Sequence, residues 1–313
     1  MNLTYPEFRQ IRQWVYRNAR PVDFARWQFH FEDGGQEAVL KGLAAFQNED
    51  GGFGHALEAD SWNPNSVPMQ TANAVEVLHE IGFKDRNHPV IEGILRYLDS
   101  GADMDDADTW KNVVESSNDY PHAPWWHSDS QSTSRSIYNP TAIMAGFILE
   151  NADRESALYS HGLQIAKNLA ALFLREPDLM MHPLICVLTM IKSIETAGLQ
   201  DEFDYAALTE TANRQIKDLL DRSAGDWSGY STRPSAFIHS PQSLGYEQNA
   251  ALVDKELDYL LSLRNEEGLW DPNWSWGDYE LEFALSANWW KSHIAIRNLL
   301  LLQAFGRIEA EQA

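Results

Sequence analysis

Three stretches of this chain set carboxylates close to aromatic rings and imidazoles. His55-Ala56-Leu57-Glu58-Ala59-Asp60-Ser61-Trp62 carries two acids, a histidine and an indole, and Trp274-Ser275-Trp276-Gly277-Asp278 repeats the mixture ahead of Trp289 and Trp290. Between them lies an acidic run, Asp103-Met104-Asp105-Asp106. Neighbouring carboxylates share a proton, which raises the pKa of one until it can act as a general acid in a dry site. Indole and phenol faces stack on sugars or stabilise positive charge. On these grounds Asp60, Glu58, Asp105 and Asp278 are the candidate catalytic groups, with Asp103 and Asp106 supporting Asp105. The candidate substrate-binding residues are His55, Trp62, Trp126, His127, Tyr230, Trp274, Trp276, Trp289 and Trp290. Plainer roles compete with these: acids at helix N-termini serve as caps, and an acidic loop is often a solvated or cation-binding surface.

Helices must position these residues. Apolar spacing of three and four marks stripes at Phe8, Ile11 and Val15, at Ala74, Val77, Leu78 and Ile81, and at Leu169, Leu172 and Phe173, while strand alternation is almost absent. Helices are expected at about 5–18, 35–46, 68–81, 88–99, 139–151, 158–175, 182–197, 204–222, 247–263 and 286–305. Three of them stop at glycine, at Ile81-Gly82, Ala197-Gly198 and Phe305-Gly306, where a left-handed cap belongs. The links after these stops are short. The stretches 47–67, 100–138, 223–246 and 264–285 are long and rich in Trp, Asn and Asp, unlike disordered sequence. In antiparallel hairpins all four would lie on one rim, which is the expected working face.

Composition narrows the partners. A net charge of −22 excludes a phosphate-rich nucleic-acid partner. Five arginines, Arg9, Arg12, Arg17, Arg20 and Arg26, make the N-terminal region locally basic. The single cysteine, Cys186, rules out an internal disulfide and a multi-cysteine metal cluster. A polar, Arg-rich N-terminus and the lack of a long apolar run give no signal peptide and no transmembrane segment, so a cytoplasmic location is expected. No phosphate-binding glycine loop, nucleophile elbow or HExxH motif appears, and neither a cofactor nor a metal is expected.

A repeat gives the architecture. Leu40 to Gly54 aligns with Leu257 to Asp271, pairing Gln47 with Arg264, Asn48 with Asn265, Asp50 with Glu267, Gly51 with Gly268 and Phe53 with Trp270. A weaker copy lies at Gly225-Asp226-Trp227. This pattern resembles the Q-x-x-D-G-G-[FW] turn, the QW-type repeat of the terpenoid cyclase and protein prenyltransferase superfamily. The resemblance implies an all-α fold, one α-α toroid domain over residues 1–313, with the turn residues serving architecture. Protonating cyclases of the family carry an Asp-rich segment before Thr-Ala on an inner helix, whereas Val67-Pro68-Met69-Gln70 precedes Thr71-Ala72 here. The family's zinc-binding histidine position falls on Lys291, with His293 two residues on, and Cys186 sits on an apolar helix, so zinc-dependent prenyl transfer is not implied.

The ligand is expected to be a small molecule, an isoprenoid or a carbohydrate. The resemblance favours an isoprenoid cyclase-type enzyme with an aromatic funnel and a carboxylic acid at the rim. The alternatives are a carbohydrate-active enzyme, hydrolase or lyase, using Trp platforms and paired carboxylates, and a non-catalytic ligand-binding toroid. Oligomeric state leaves no mark in the sequence.

Overall fold

The computed structural model describes residues 1–129, 137–223, 227 and 229–311. Among these residues the fold is all-α: α1 (Tyr5–Asn18), α2 (Pro21–Phe31), α3 (Gln36–Ala44), α4 (Pro68–Glu80), α5 (Pro89–Asp99), α6 (Thr141–Asn151), α7 (Ala157–Arg175), α8 (Met181–Thr196), α9 (Tyr205–Ser223), α10 (Tyr246–Ser262) and α11 (Glu280–Ala304). Extended pairing among the described residues is confined to isolated bridges. No helix of the described residues is long and apolar enough to cross a membrane.

The glycine stops form one repeated device. Gly82, Gly198 and Gly306 take φ of 62°, 68° and 66°. The residue after each donates back into its helix, Phe83 N to Leu78 O at 3.0 Å, Leu199 N to Ile194 O at 3.0 Å and Arg307 N to Leu302 O at 2.8 Å.

Three expectations need correction. Helix α2 was not anticipated, yet Pro21 in its first turn starts it as proline can, and the Trp27 ring stacks on Phe8 at 5.4 Å. Helix α11 begins at Glu280 rather than 286, because its first turns are polar or exposed and show no apolar stripe. Leu172, expected in the core, is only half-buried, whereas the next residue, Phe173, is fully buried.

Contacts divide the chain into two compact units, one of Leu43–Gln215 and one formed by Met1–Gly42 with Ile216–Ala313. In the first, α6 is apolar all round, buried from Thr141 to Leu149, and packs against α4, α5, α7 and α8. In the second, α11 packs on α1 and α2, and the chain ends pair through Leu3 and Ile308. The N-terminal arginines are largely engaged within this unit: Arg12 binds Glu32 at 2.8 Å, while Arg20 and Arg26 hold Asp23.

The aligned turns share one geometry, and a third copy exists. Asn48 N bonds Gly52 O at 2.9 Å, Asn265 N bonds Leu269 O at 2.8 Å, and Asp105 N bonds Thr109 O at 2.9 Å. Three residues on, Gly51, Gly268 and Asp108 each donate back to the first residue and each has positive φ, 96°, 79° and 57°. Five residues on, Phe53, Trp270 and Trp110 are all buried rings. In two copies the ring residue's amide is also anchored on the helix that follows, Phe53 N on Thr71 Oγ1 in α4 and Trp110 N on Thr141 Oγ1 in α6, both at 3.0 Å. Gly51 is irreplaceable on a second count, since a Cβ there would lie 1.9 Å from Gly93 O. Of the weaker copy, Trp227 is buried, and Gly225 and Asp226 lie outside the described residues.

Candidate functional site

In the Leu43–Gln215 unit, two long loops are stitched together. Ala123 N donates to Asp60 O at 2.8 Å and Trp62 N to Pro121 O at 3.0 Å, with Ser61 bridged to His122. Helix α4 pins the first loop through Gln70, whose Oε1 accepts from Leu57 N at 2.8 Å while its Nε2 donates to Ser61 O and Asn63 O, both at 3.2 Å. Asn63 ties the same loop to Ser116 Oγ at 2.8 Å. Under these restraints His55 and Ala56 hold φ of 58° and 61°. Left-handed backbone at two successive non-glycine residues costs about 1–3 kcal/mol each and persists only where the surroundings impose it.

This frame brings Glu58, Asp60, Trp62, Trp126 and His127 into one neighbourhood. Glu58 and Asp60 are 7 % and 2 % exposed, so both acids are buried rather than lying open on a rim. Trp126 Nε1 donates to Glu58 Oε1 at 3.2 Å. The His122 and His127 rings stack at 5.4 Å and 14°, and His122 Nε2 lies 3.2 Å from His127 Nδ1. Trp62 and Trp126 are half-buried, and His127 is exposed. His55 braces the first repeat turn instead, its Nε2 2.9 Å from Asn48 Oδ1.

In the other unit, the loops before α10 and before α11 meet where Asn273 Nδ2 donates to Gly229 O at 3.0 Å. Rings then run in sequence: Tyr230 on Trp274 at 6.3 Å, Trp274 on Trp290 at 5.2 Å, and Trp290 on His293 at 5.3 Å. Arg26 Nη1 lies 3.1 Å from His293 Nδ1 and donates to Asp23 Oδ1 at 2.8 Å, while Arg20 Nε donates to Asp23 Oδ2 at 2.9 Å. Arg20 also lies over the Trp289 ring at 5.5 Å. Because a guanidinium only donates, His293 Nδ1 is an acceptor. Burial raises the Asp23 carboxyl, but the charges of Arg20 and Arg26 outweigh it and hold the pKa below its usual value.

No family model, curated protein or solved structure matches the chain.

Two further candidates, besides His55, are engaged in the architecture. Asp105 is the brace of the third repeat turn: Oδ1 accepts from Ala107 N at 2.9 Å and Thr109 N at 3.0 Å, and Oδ2 from the Thr109 hydroxyl at 2.8 Å. Slight burial raises this carboxyl, but the Thr109 and Ala107 hydrogen bonds prevail and keep it lowered, the opposite of what a general acid needs. Its neighbour Asp103 is raised instead, by burial, against the opposing bond from Tyr97 Oη at 3.1 Å. Trp276, expected to line a binding surface, is buried at 1 % exposure and packs on Phe283 at 5.7 Å. Asp278 is exposed.

Sequence reasoning missed Gln70 and His122, which shape the loop site with Asn63. Gln70 had a signal: it precedes Thr71-Ala72, where the family resemblance implied an acid, and it holds in place the loop that carries two. Among the described residues no three His, Cys, Asp or Glu side chains gather as metal ligands. Cys186 is buried, and burial pushes its thiol up, away from the thiolate a metal would take.

Proposed function

We propose that the chain is a single α-α toroid enzyme that binds a small, hydroxyl-rich ligand of the carbohydrate class at loops 55–63 and 121–127, with Glu58 and Asp60 as its acid and base. The toroid is supported by the recurrence of one turn at three helix ends and by the alternation of short glycine-stopped links with long loops. The chemistry rests on one observation: two buried carboxylates two residues apart, one of them hydrogen-bonded to a half-buried indole. Burial disfavours the charged form of a carboxyl, and two acids with different surroundings divide the acid and base roles between them. That division of labour suits cleavage of a glycosidic bond. The polar frame of Gln70, Asn63, Ser61 and Ser116 suits hydroxyls better than hydrocarbon, and Trp62 and Trp126 offer faces for stacking.

The ring series Tyr230, Trp274 and Trp290 favours a second reading, an isoprenoid cyclase-type reaction in which aromatic faces stabilise a carbocation. Incubation with separate panels of oligosaccharides and polyprenyl diphosphates, with products read by mass spectrometry, distinguishes them. Turnover of saccharides that drops about 10²- to 10⁴-fold in Glu58→Gln supports the first reading. Turnover of polyprenyl substrates alone selects the second, and saturable saccharide binding without products selects a non-catalytic binding protein.

A further inference from the structure

We infer that His127 is a further proton acceptor of the loop site, in addition to the two carboxyls, and that His122 is the positioning residue that sets its tautomer. The inference deepens the reading of loops 55–63 and 121–127 as a site and rests on it. A chain of donors and acceptors assigns the hydrogens. The Tyr120 carbonyl can only accept, so His122 Nδ1, 2.5 Å from it, carries a hydrogen. In the neutral ring the other nitrogen, Nε2, is then an acceptor, and it faces His127 Nδ1 at 3.2 Å. His127 Nδ1 therefore donates, and the lone pair of neutral His127 resides on Nε2. The hydrogen bond made by one ring nitrogen decides which face of a histidine is basic.

The backbone keeps this arrangement in register. His122 is 7 % exposed and bridged to Ser61, while Ala123 N holds Asp60 O. Trp126 N closes onto Ala123 O at 2.9 Å. Just beyond His127, Ser128 and Asn118 exchange two bonds, Ser128 N to Asn118 Oδ1 at 2.7 Å and Asn118 Nδ2 to Ser128 O at 2.8 Å. The segment bearing an exposed imidazole is thus fixed on both sides, with its lone pair on the nitrogen that His122 does not engage. A proton taken from a ligand hydroxyl or a water passes to Nε2. The resulting imidazolium keeps its Nδ1–H bond to His122, the way an orienting acceptor serves the histidine of a catalytic triad.

The test reads the nitrogen directly and needs no substrate. In ¹⁵N-histidine-labelled protein, long-range ¹H–¹⁵N spectra at a pH where the rings are neutral, assigned with His127→Gln, should show His127 as the Nδ1–H tautomer. In His122→Phe it should revert to Nε2–H. An Nε2–H tautomer of His127 in the unaltered protein overturns the inference, whether or not His122→Phe folds, and so does a folded His122→Phe in which the tautomer is unchanged. The readout is independent of the substrate panels, so a failed carbohydrate reading and a failed base assignment are separate results. On any saccharide the protein turns over, His127→Gln should lower kcat with little change in KM. An unaltered kcat contradicts the assignment.

Discussion

The two loop pairs use buried charge in different ways. In the unit built from the chain ends, the acid of the buried cluster, Asp23, has each carboxylate oxygen taken by a guanidinium, and the surrounding rings complete a rigid clamp between α2 and α11. In the Leu43–Gln215 unit, Glu58 takes an indole hydrogen, and its loop is held by neutral amides from Gln70 and Asn63. An ion-paired carboxyl is committed to its charge, so Asp23 has no proton to give. Sequence alone ranks the two regions equally, since both are runs of Trp and acid. Their hydrogen-bond partners separate them.

The largest effect expected is at the clamp. Arg26→Met takes the guanidinium from buried Asp23 Oδ1, leaving only Arg20 on Oδ2, and should cost about 3–5 kcal/mol in urea unfolding, as removing one member of a buried ion pair does. A loss near zero would mean that the cluster is not a clamp and would blur the contrast between the regions.

The repeat turns come next. Gly268→Ala meets only the flexible Gln10 side chain at 3.2 Å, so its cost is that of a left-handed alanine, about 1–2 kcal/mol. Gly51→Ala should cost more than that, because the new Cβ collides with the Gly93 backbone. Equal losses in thermal unfolding would show that the two turns are not constrained as their surroundings indicate.

A smaller effect depends on pH. Burial raises the Glu7 carboxyl, but the hydrogen bonds from Arg264 and Thr4 prevail and hold it down to about 2 from 4.5. A depressed folded-state pKa contributes stability that is present above the unfolded value and lost as pH falls through the folded one. Glu7→Gln should therefore flatten the stability profile between roughly pH 4.5 and 2 and lower the plateau above it. An unchanged slope there would show that the Glu7 carboxylate is not paired with Arg264 in solution.

What the sequence discloses follows from periodicity and from turn chemistry. Ten of the helices could be read from apolar spacing and glycine stops, because burial of one face imposes that spacing. Helix α2 hides behind Pro21, which reads as a break but serves as a start. The third repeat turn hides because Asp108 takes the left-handed position that glycine holds in the other copies, which Asp tolerates better than most residues. Its neighbours made Asp103-Met104-Asp105-Asp106 look like an acid motif. A signal was present in the partner positions: Thr71-Ala72, Thr141-Ala142 and Ser286-Ala287 each follow one of the turns with a small hydroxyl residue. Of the site, Glu58, Asp60, Trp62, Trp126 and His127 were legible as residue types. Their burial and the tautomer of the histidine pair arise from contacts between loops distant in sequence, which no local pattern encodes.

The most direct test compares two acids that look alike in sequence. The account assigns chemistry to Glu58 and architecture to Asp105. Glu58→Gln and Asp105→Ala are to be measured side by side for turnover on the saccharide panel and for thermal unfolding. Glu58→Gln should lose about 10²- to 10⁴-fold in turnover with its unfolding midpoint nearly kept. Asp105→Ala should lose about 1–2 kcal/mol of stability with turnover retained. The reverse pattern, in which the Asp105 variant folds normally but loses turnover while the Glu58 variant keeps it, would contradict the central claim.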